Sequence, residues 1–377
     1  MTQRILLVIP TLDQSGAEKQ LSLLARGLKA GAGREFEVHV CALTRGGPLE
    51  AELAAAGIPV TIIGKRGKVD PLAFYRLVHH VRRLKPAIVH TWMFAANSYG
   101  RAAAIRERVP HLIASERCVD PWKQWHQLTI DRYLAQRTER IVVNSPGVSE
   151  FYVRKGIPAD KFALIPNGID PAEVPAAGAP SEEDRRKVLA ELQLPLDARL
   201  IVAVGRLWPQ KRIKDLIWAS DLLRVIRDDT HLLIIGDGPQ RRMLERYTRL
   251  LELSERVHFL GHRSDVPRIL PHIDCLWLGS EYEGLPNVVM EAMLAARPVV
   301  ATDIAGPREL IVEGQTGFLV PVGDRAAFVR RSRRIVEEPA FARQLGEAGR
   351  QRMLTEFTVE KMVDAHAGLY RQLLGVK

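Results

Sequence analysis

The stretch Leu200 to Leu216, "LIVAVGRLWPQKRIKDL", begins as an unbroken apolar run, stops at Gly205, crosses a cationic loop and continues into a helix. An apolar run without alternation suits a strand covered on both faces, as parallel sheets require. The same rhythm repeats downstream at Leu232 to Gly236, Val257 to Gly261, Cys275 to Gly279 and Val299 to Thr302. Upstream it is already present at Arg4 to Pro10, Glu37 to Leu43, Val60 to Ile63, Ala87 to Thr91, His111 to Ser115 and Arg140 to Ser145. Helical patterns separate those runs: Ala17 to Ala30, Pro48 to Ala56, Pro71 to Leu84, Asn97 to Arg108 and Trp125 to Gln136. The spacing predicts an α/β protein with two doubly wound, Rossmann-like domains.

The chain has 377 residues, enough for two domains with their own cores. The texture changes near "PAEVPAAGAPSEEDRRK", which reads as a linker running into a helix. The expected division is a first domain over 1–172, linker and leading helix over 173–197, a second domain over 198–357 and a final helix over 358–377. In that helix Met362, Ala365, Leu369 and Leu373 fall at helical spacing.

Nothing approaches the ~20 uninterrupted apolar residues of a membrane-spanning helix. The opening "MTQRILLVIPTLDQSG" has too short an apolar run for a signal peptide and reads as a first strand, so a cytoplasmic location is expected. Cys41, Cys118 and Cys275 are widely spaced, odd in number and without CxxC pairing, as for reduced, mostly buried thiols. The net charge is +10, and residues 1–175 hold most of it, with 24 Lys+Arg against 16 Asp+Glu. Such a bias suits nucleic acid, anionic lipid, an acidic substrate or simply a solvated basic face. No recognised nucleic-acid motif accompanies it.

Ligands of doubly wound sheets bind at the carboxyl ends of strands, and between two such domains the natural site is the cleft. The first strand exits into a turn with Gly16 at the start of a helix, where backbone approach and free N–H groups favour an anion. With one glycine this is no dinucleotide fingerprint. Gly205 is followed by Arg206 and then Lys211, two cations suited to a diphosphate and its departing charge. "GDGP", with Asp237, is explained by turn formation and leaves room for a ligand contact. In "EYEGLPNVVMEAM", Glu283 precedes a helix start at Gly284-Leu285-Pro286-Asn287-Val288, and Glu291 falls inside the helix. Pro286 suits a first helical turn, and donors near Leu285, Asn287 and Val288 would meet an anion at the dipole's positive end. Two acceptor carboxylates there suit a polyhydroxylated group and a ribose.

Together these motifs resemble the retaining glycosyltransferases of the GT-B fold, family 4, over nearly the whole chain. The strongest element is E-x7-E, Glu283 and Glu291; "SGAE", "NS", "IPNGID", Arg206-x4-Lys211, "GDGP", "GHRSDVP" and "GPRELIVEGQTGFLVPVGD" support it in the family's order. The resemblance implies that Arg206 and Lys211 hold the nucleotide diphosphate, Glu283 the donor sugar and Glu291 the ribose. It also implies that Arg263, within Gly261 to Asp265, lies by the base, that the Gly16 loop faces the diphosphate or acceptor, and that the last helix packs back near the first domain. A nucleotide sugar would be the donor and a glycan or lipid-linked molecule the acceptor, in surface polysaccharide or glycolipid assembly. No cofactor and no metal is expected: the sequence lacks Asp-x-Asp, and Arg, Lys and a helix dipole would carry the charge. The leaving phosphate itself would take the acceptor's proton. An epimerase or hydrolase of the same architecture is the alternative enzyme class.

One departure stands out. Where relatives carry Thr-x-His after the fifth strand, this chain has Ser115-Glu116-Arg117. Arg117 either takes over a donor contact or marks a loop serving a different acceptor. His90, at another strand end, reads as structural. The segment "KRGKVDPLAFYRLVHHVRRLKP" is basic and partly amphipathic, as for a helix resting on anionic lipid or for one with a plain solvated face.

Overall fold

The computed structural model describes residues 2–31, 35–173 and 181–376. The chain forms two compact units, Met1–Gly168 with Val359–Lys377, and Ile169–Thr358.

The first unit holds strands β1 (Gln3–Thr11), β2 (Phe36–Arg45), β3 (Val60–Ile62), β4 (Ile88–Trp92), β5 (His111–Glu116), β6 (Arg140–Val143) and β7 (Phe162–Leu164). They form one parallel sheet in the order β3-β2-β1-β4-β5-β6-β7. Helices α1 (Gly16–Ala30), α2 (Pro48–Ala55), α3 (Pro71–Leu84), α4 (Met93–Arg106), α5 (Trp125–Ala135) and α6 (Pro146–Arg154) connect them. Burial explains the apolar runs: Ile5, Leu6, Leu7, Val8 and Ile9 of β1 are all fully enclosed. Leu6 and Val8 face α3 and α4, while Ile5, Leu7 and Ile9 face the core that Leu21, Leu24 and Leu28 of α1 share with the last helix. That helix follows the whole second unit in sequence, yet Met362, Val363, Ala367, Leu369 and Tyr370 complete the first unit's core.

The second unit holds β8 (Arg199–Val204), β9 (Thr230–Ile235), β10 (Val257–Gly261), β11 (Cys275–Leu278), β12 (Val299–Thr302) and β13 (Phe318–Val320). These form a parallel sheet in the order β10-β9-β8-β11-β12-β13. Helices α7 (Glu182–Glu191), α8 (Ile213–Ile226), α9 (Arg241–Leu250), α10 (Val266–Ile269), α11 (Asn287–Leu294), α12 (Ala305–Leu310), α13 (Arg325–Glu337) and α14 (Pro339–Glu356) cover it. The last helix of the first unit is α15 (Val359–Leu374).

Of the linker expected over 173–197, residues 174–180 lie outside the described residues. α7 is docked onto the second unit: Arg185 bonds the Ala198 carbonyl at 2.9 Å and Asp274 Oδ2 at 2.8 Å. The chain enters this unit at Ile169 and leaves at Thr358, which are bridged to each other. Cys41 and Cys275 are buried and joined in no disulfide, and burial pushes the Cys41 thiol up to about 12. Among the described residues no helix is long and apolar enough to cross a membrane.

Candidate active site

In the second sheet the strand order reverses between β8 and β11, so the loops leaving these neighbours splay apart and open a crevice at their carboxyl ends. Lys211 follows β8 and Glu283 follows β11, and Lys211 Nζ lies 2.5 Å from Glu283 Oε1. Ser280 Oγ donates to the same oxygen at 2.7 Å, and the Thr302 hydroxyl donates to the Ser280 carbonyl at 2.6 Å. Gln210 clasps the loops together: its carbonyl accepts from Glu281 N at 2.8 Å and its Nε2 donates to the Tyr282 carbonyl at 2.7 Å. An ammonium, a carboxylate and a hydroxyl are thus fixed by a backbone network at the switch point.

Glycine makes the close approach possible. Gly205 has φ 154° and Gly236 has φ 134°, conformations that L side chains rarely adopt, and a Cβ on Gly236 would sit 2.0 Å from the Gly205 carbonyl oxygen. The two strand exits are laced by Gly205 N to the Ile235 carbonyl (2.9 Å) and Leu207 N to the Asp237 carbonyl (2.9 Å). On the other side Gly306 abuts Gly284, whose carbonyl oxygen would lie 1.9 Å from an added Cβ. Gly284, Leu285 and Pro286 lead into α11; Leu285 and Asn287 are themselves engaged within the chain. Val288 is half-buried beside them, and Glu291, half-buried in the second turn, also interacts within the chain.

The remaining candidates of this unit occupy different settings. Arg206 is exposed, 5.8 Å from the Trp208 ring centroid, and joins no ion pair among the described residues. Asp237 closes its own turn, accepting from Gly238 N at 2.7 Å and from Arg241 Nη1 at 3.1 Å. These bonds, the Gly238 amide first, hold its carboxyl below the usual range. Arg263 is tied to Asp265 (2.7 Å) and Glu191 (2.9 Å), and these hydrogen bonds hold its guanidinium above its ordinary value.

In the first unit, Gly16 is the first residue of α1. Glu18, which the sequence offers only as part of "SGAE", is buried and accepts from the hydroxyls of Thr11 (3.1 Å) and Ser15, closing the β1 exit. Gln20 clasps Gly168 through both amide atoms, at 2.8 and 2.9 Å.

The β5 exit shows strand alternation at work, since successive residues point to opposite faces. Glu116 points towards α4, α6 and the loop before α5, where Asn97 Nδ2 donates to it at 3.0 Å, Tyr152 donates at 3.1 Å and Lys123 Nζ lies 3.4 Å away. Lys123 also bonds Asp131 at 2.9 Å and reaches Asp120 at 3.2 Å, and Arg101 bonds Asp131 at 2.9 Å. Burial pushes Glu116 up to about 7 despite Lys123. Burial opposes the Lys123 charge, but Glu116, Asp131 and Asp120 outweigh it and its ammonium stays above the ordinary range.

Ser115 and Arg117 point the other way. His90 is fully buried between the Tyr370 hydroxyl (2.7 Å) and Ser115 Oγ (2.8 Å), and burial holds it neutral. Arg117 stacks 4.7 Å from the Trp92 ring centroid, donates through Nη2 to Asn167 Oδ1, and receives Asn144 Nδ2 on its carbonyl at 3.1 Å. The basic helix α3 spends Leu77, Val78 and Val81 on the core; Val69, Leu72 and Tyr75 stay exposed at its start. Among the described residues no group of three or more His, Cys, Asp or Glu is arranged to hold a metal ion.

Two parallel sheets with flanking helices and a charged pair at a switch point define a two-domain, Rossmann-like transferase scaffold. The chain belongs to the glycosyltransferases of group 1, family 4: "Glycosyl transferases group 1" matches residues 184–352 and "Glycosyltransferase Family 4" matches residues 14–173. Among its relatives is the lipopolysaccharide core biosynthesis glycosyltransferase LpsE of Rhizobium meliloti, 31% identical over 64% of this chain and 66% of that protein. Another is the Escherichia coli UDP-Gal:alpha-D-GlcNAc-diphosphoundecaprenol alpha-1,3-galactosyltransferase, 26% identical over 79% of this chain and 78% of that protein. The matches to the first curated relatives span between 46% and 66% of those proteins' lengths. Anabaena HepE in complex with UDP-glucose superposes with a TM-score of 0.87 at 22% identity, over 98% of this chain and 99% of that one, which establishes the GT-B type of fold.

Proposed function

We propose that this protein is a retaining, metal-independent glycosyltransferase that moves a sugar from a nucleotide diphosphate to a glycan or lipid-linked acceptor in surface polysaccharide or glycolipid assembly. The observation that carries this is the Lys211–Glu283 pair, held by Ser280 and Gln210 at the switch point of the second sheet in a chain of this family. Arg206 and Lys211 bind the diphosphate and meet its charge as it leaves. Glu283 orients the sugar hydroxyls, Glu291 the ribose, and the backbone of Gly284 to Val288 presents the dipole of α11. Gly205 and Gly16 allow close backbone approach. Asp237 and Arg263 support the nucleotide from loops that they themselves brace.

The reaction breaks the anomeric C–O bond to the diphosphate through an oxocarbenium-like state and forms a bond to the acceptor oxygen on the same face. The acceptor's proton passes to a leaving phosphate oxygen, so no separate general base is required. The nucleotide sugar as donor is supported by HepE, solved with UDP-glucose, and a lipid-linked acceptor by the Escherichia coli relative. Contact with anionic membrane is supported by exposed Val69, Leu72 and Tyr75 beside Arg66, Lys68 and Arg76. A thermal-shift panel of nucleotide sugars identifies the donor as the compound that raises the melting temperature. Nucleotide diphosphate release that rises with acceptor, and a product whose anomeric configuration by NMR matches the donor, support the reading; inversion or acceptor-independent release refutes it.

A further inference from the structure

Among the described residues three Lys or Arg side chains are buried: Arg101, Lys123 and Arg117. The first two have carboxylate partners, Asp131 for Arg101 and Asp131, Asp120 and Glu116 for Lys123. Arg117, only 8% exposed, has none among the described residues. Its Nη2 donates to the neutral amide of Asn167, while Nε and Nη1 are buried and find no acceptor among the described residues. Glu116, its neighbour in sequence, faces away because a strand alternates, and its charge is met by the network around Lys123. No opposite charge among the described residues offsets the burial of Arg117, which pushes it down to about 9.

The surroundings repeat the pattern. Trp92, whose ring faces the guanidinium, leaves Nε1 buried and unpartnered, and His366, stacked on Trp92 with 6.2 Å between centroids, leaves Nε2 so. Asn144, bonded to the Arg117 carbonyl, leaves Oδ1 unmatched. His366 is held neutral by burial and by Arg117, so it adds no compensating charge and no second cation. A fold that buries a cation for its own stability supplies an opposite charge and saturates the donors. Here the chain supplies an aromatic face and one amide, at the carboxyl ends of β4 and β5 where ligands of such sheets bind.

We propose that Arg117 is the centre of an anion subsite in the first unit, reading a carboxylate or phosphate on the substrate other than the leaving diphosphate. The proposal rests on the glycosyltransferase reading and deepens it: donor or acceptor is an acidic sugar or a phosphorylated one. The guanidinium's two unused donors, with Trp92 behind it, suit either oxyanion.

The full chain and its Arg117→Gln and Arg117→Lys variants are titrated calorimetrically with UDP-glucose, UDP-glucuronic acid and, with and without saturating UDP, inorganic phosphate. If the anion belongs to the donor, wild type binds UDP-glucuronic acid at least about tenfold more tightly than UDP-glucose, and Arg117→Gln loses that preference. If it belongs to the acceptor, phosphate binds UDP-saturated wild type and binds Arg117→Gln at least about tenfold more weakly, while UDP binds both alike. Arg117→Lys falls between in either case, keeping charge but not the donor geometry. Equal binding of all probes by wild type and Arg117→Gln overturns the proposal. Thermal melts supply an independent criterion: an uncompensated cation kept for binding leaves Arg117→Gln melting at or above wild type. A drop of several degrees, or failure to fold, assigns Arg117 to structure and overturns the proposal as well. If no nucleotide sugar of the thermal-shift panel binds any form of the protein, the glycosyltransferase reading fails instead, and the phosphate titration alone still decides the role of Arg117.

Discussion

Lys211 and Glu283, separated by 72 positions in the chain, meet at 2.5 Å because β8 and β11 are adjacent where the second sheet reverses its order. The two groups share one contact, so removing either partner should forfeit much of what the other contributes. Glu283→Ala and Lys211→Ala are each expected to lower kcat/KM by about 10²–10³-fold, the range seen for single preorganised electrostatic groups. The double variant should be little worse than the poorer single one. Rates of nucleotide diphosphate release for the four proteins test this; fully multiplicative losses would show that the two act independently.

Gly306 stands against the carbonyl oxygen of Gly284, where an added Cβ would come within 1.9 Å. Gly306→Ala must therefore displace the Gly284–Pro286 turn or the start of α12. A loss of about 1–3 kcal/mol in stability, as for other overpacked sites, is expected, together with weaker nucleotide-sugar binding. Urea denaturation and calorimetric titration check both; unchanged binding would place the turn outside the donor site.

The buried network around Lys123 gives two separable outcomes. Lys123→Met leaves Glu116, Asp120 and Asp131 without their shared cation and should cost about 3–5 kcal/mol in chemical denaturation. Glu116 reports differently, through pH. Burial raises it from its ordinary 4.5 to about 7, so the folded chain holds this proton more tightly than the unfolded chain. Its contribution to stability therefore falls as pH rises through that window, and Glu116→Gln should remove this part of the slope. A stability–pH profile that keeps the slope in the variant would assign it to other groups.

Tyr370 of α15 bonds His90 of β4 at 2.7 Å, with both side chains fully buried. Tyr370→Phe should cost about 1–3 kcal/mol by leaving a buried imidazole nitrogen unmatched. Tyr370→Ala should cost about 3–5 kcal/mol by also opening a cavity against Phe36. Both are read from urea midpoints. Equal midpoints for Phe and wild type would mean that the hydroxyl contributes nothing there.

The long apolar strands were legible in sequence because both faces of each sheet are covered, leaving no alternation to confuse them. β7 and β13 are apolar throughout but only three residues long and at a sheet edge, too short for a run to stand out beside the longer strands. Within the site, strand ends followed by Arg206, Lys211 and Glu283 could be read directly, whereas the contact of Lys211 with Glu283 depends on sheet order. The bracing of Asp237 by Arg241 joins the turn to the first residue of α9, four positions on. The state of Arg117 had no signal at all. Whether a cation is met by a carboxylate depends on which face each residue takes, and Glu116 beside it suggests the opposite of what the fold provides.

The placement of α15 has a consequence for the order in which the protein is made. Its side chains finish a core begun by β1 and α1, but the ribosome delivers them only after every residue of the second unit. Domains commonly fold as they emerge, the N-terminal one first. Here the first-made unit must wait with Leu21, Leu24 and Leu28 incompletely covered while the later one is synthesised. The second unit is continuous from Ile169 to Thr358 and has no such delay. The portion of the chain translated first thus has its core completed only by the helix translated after the second unit.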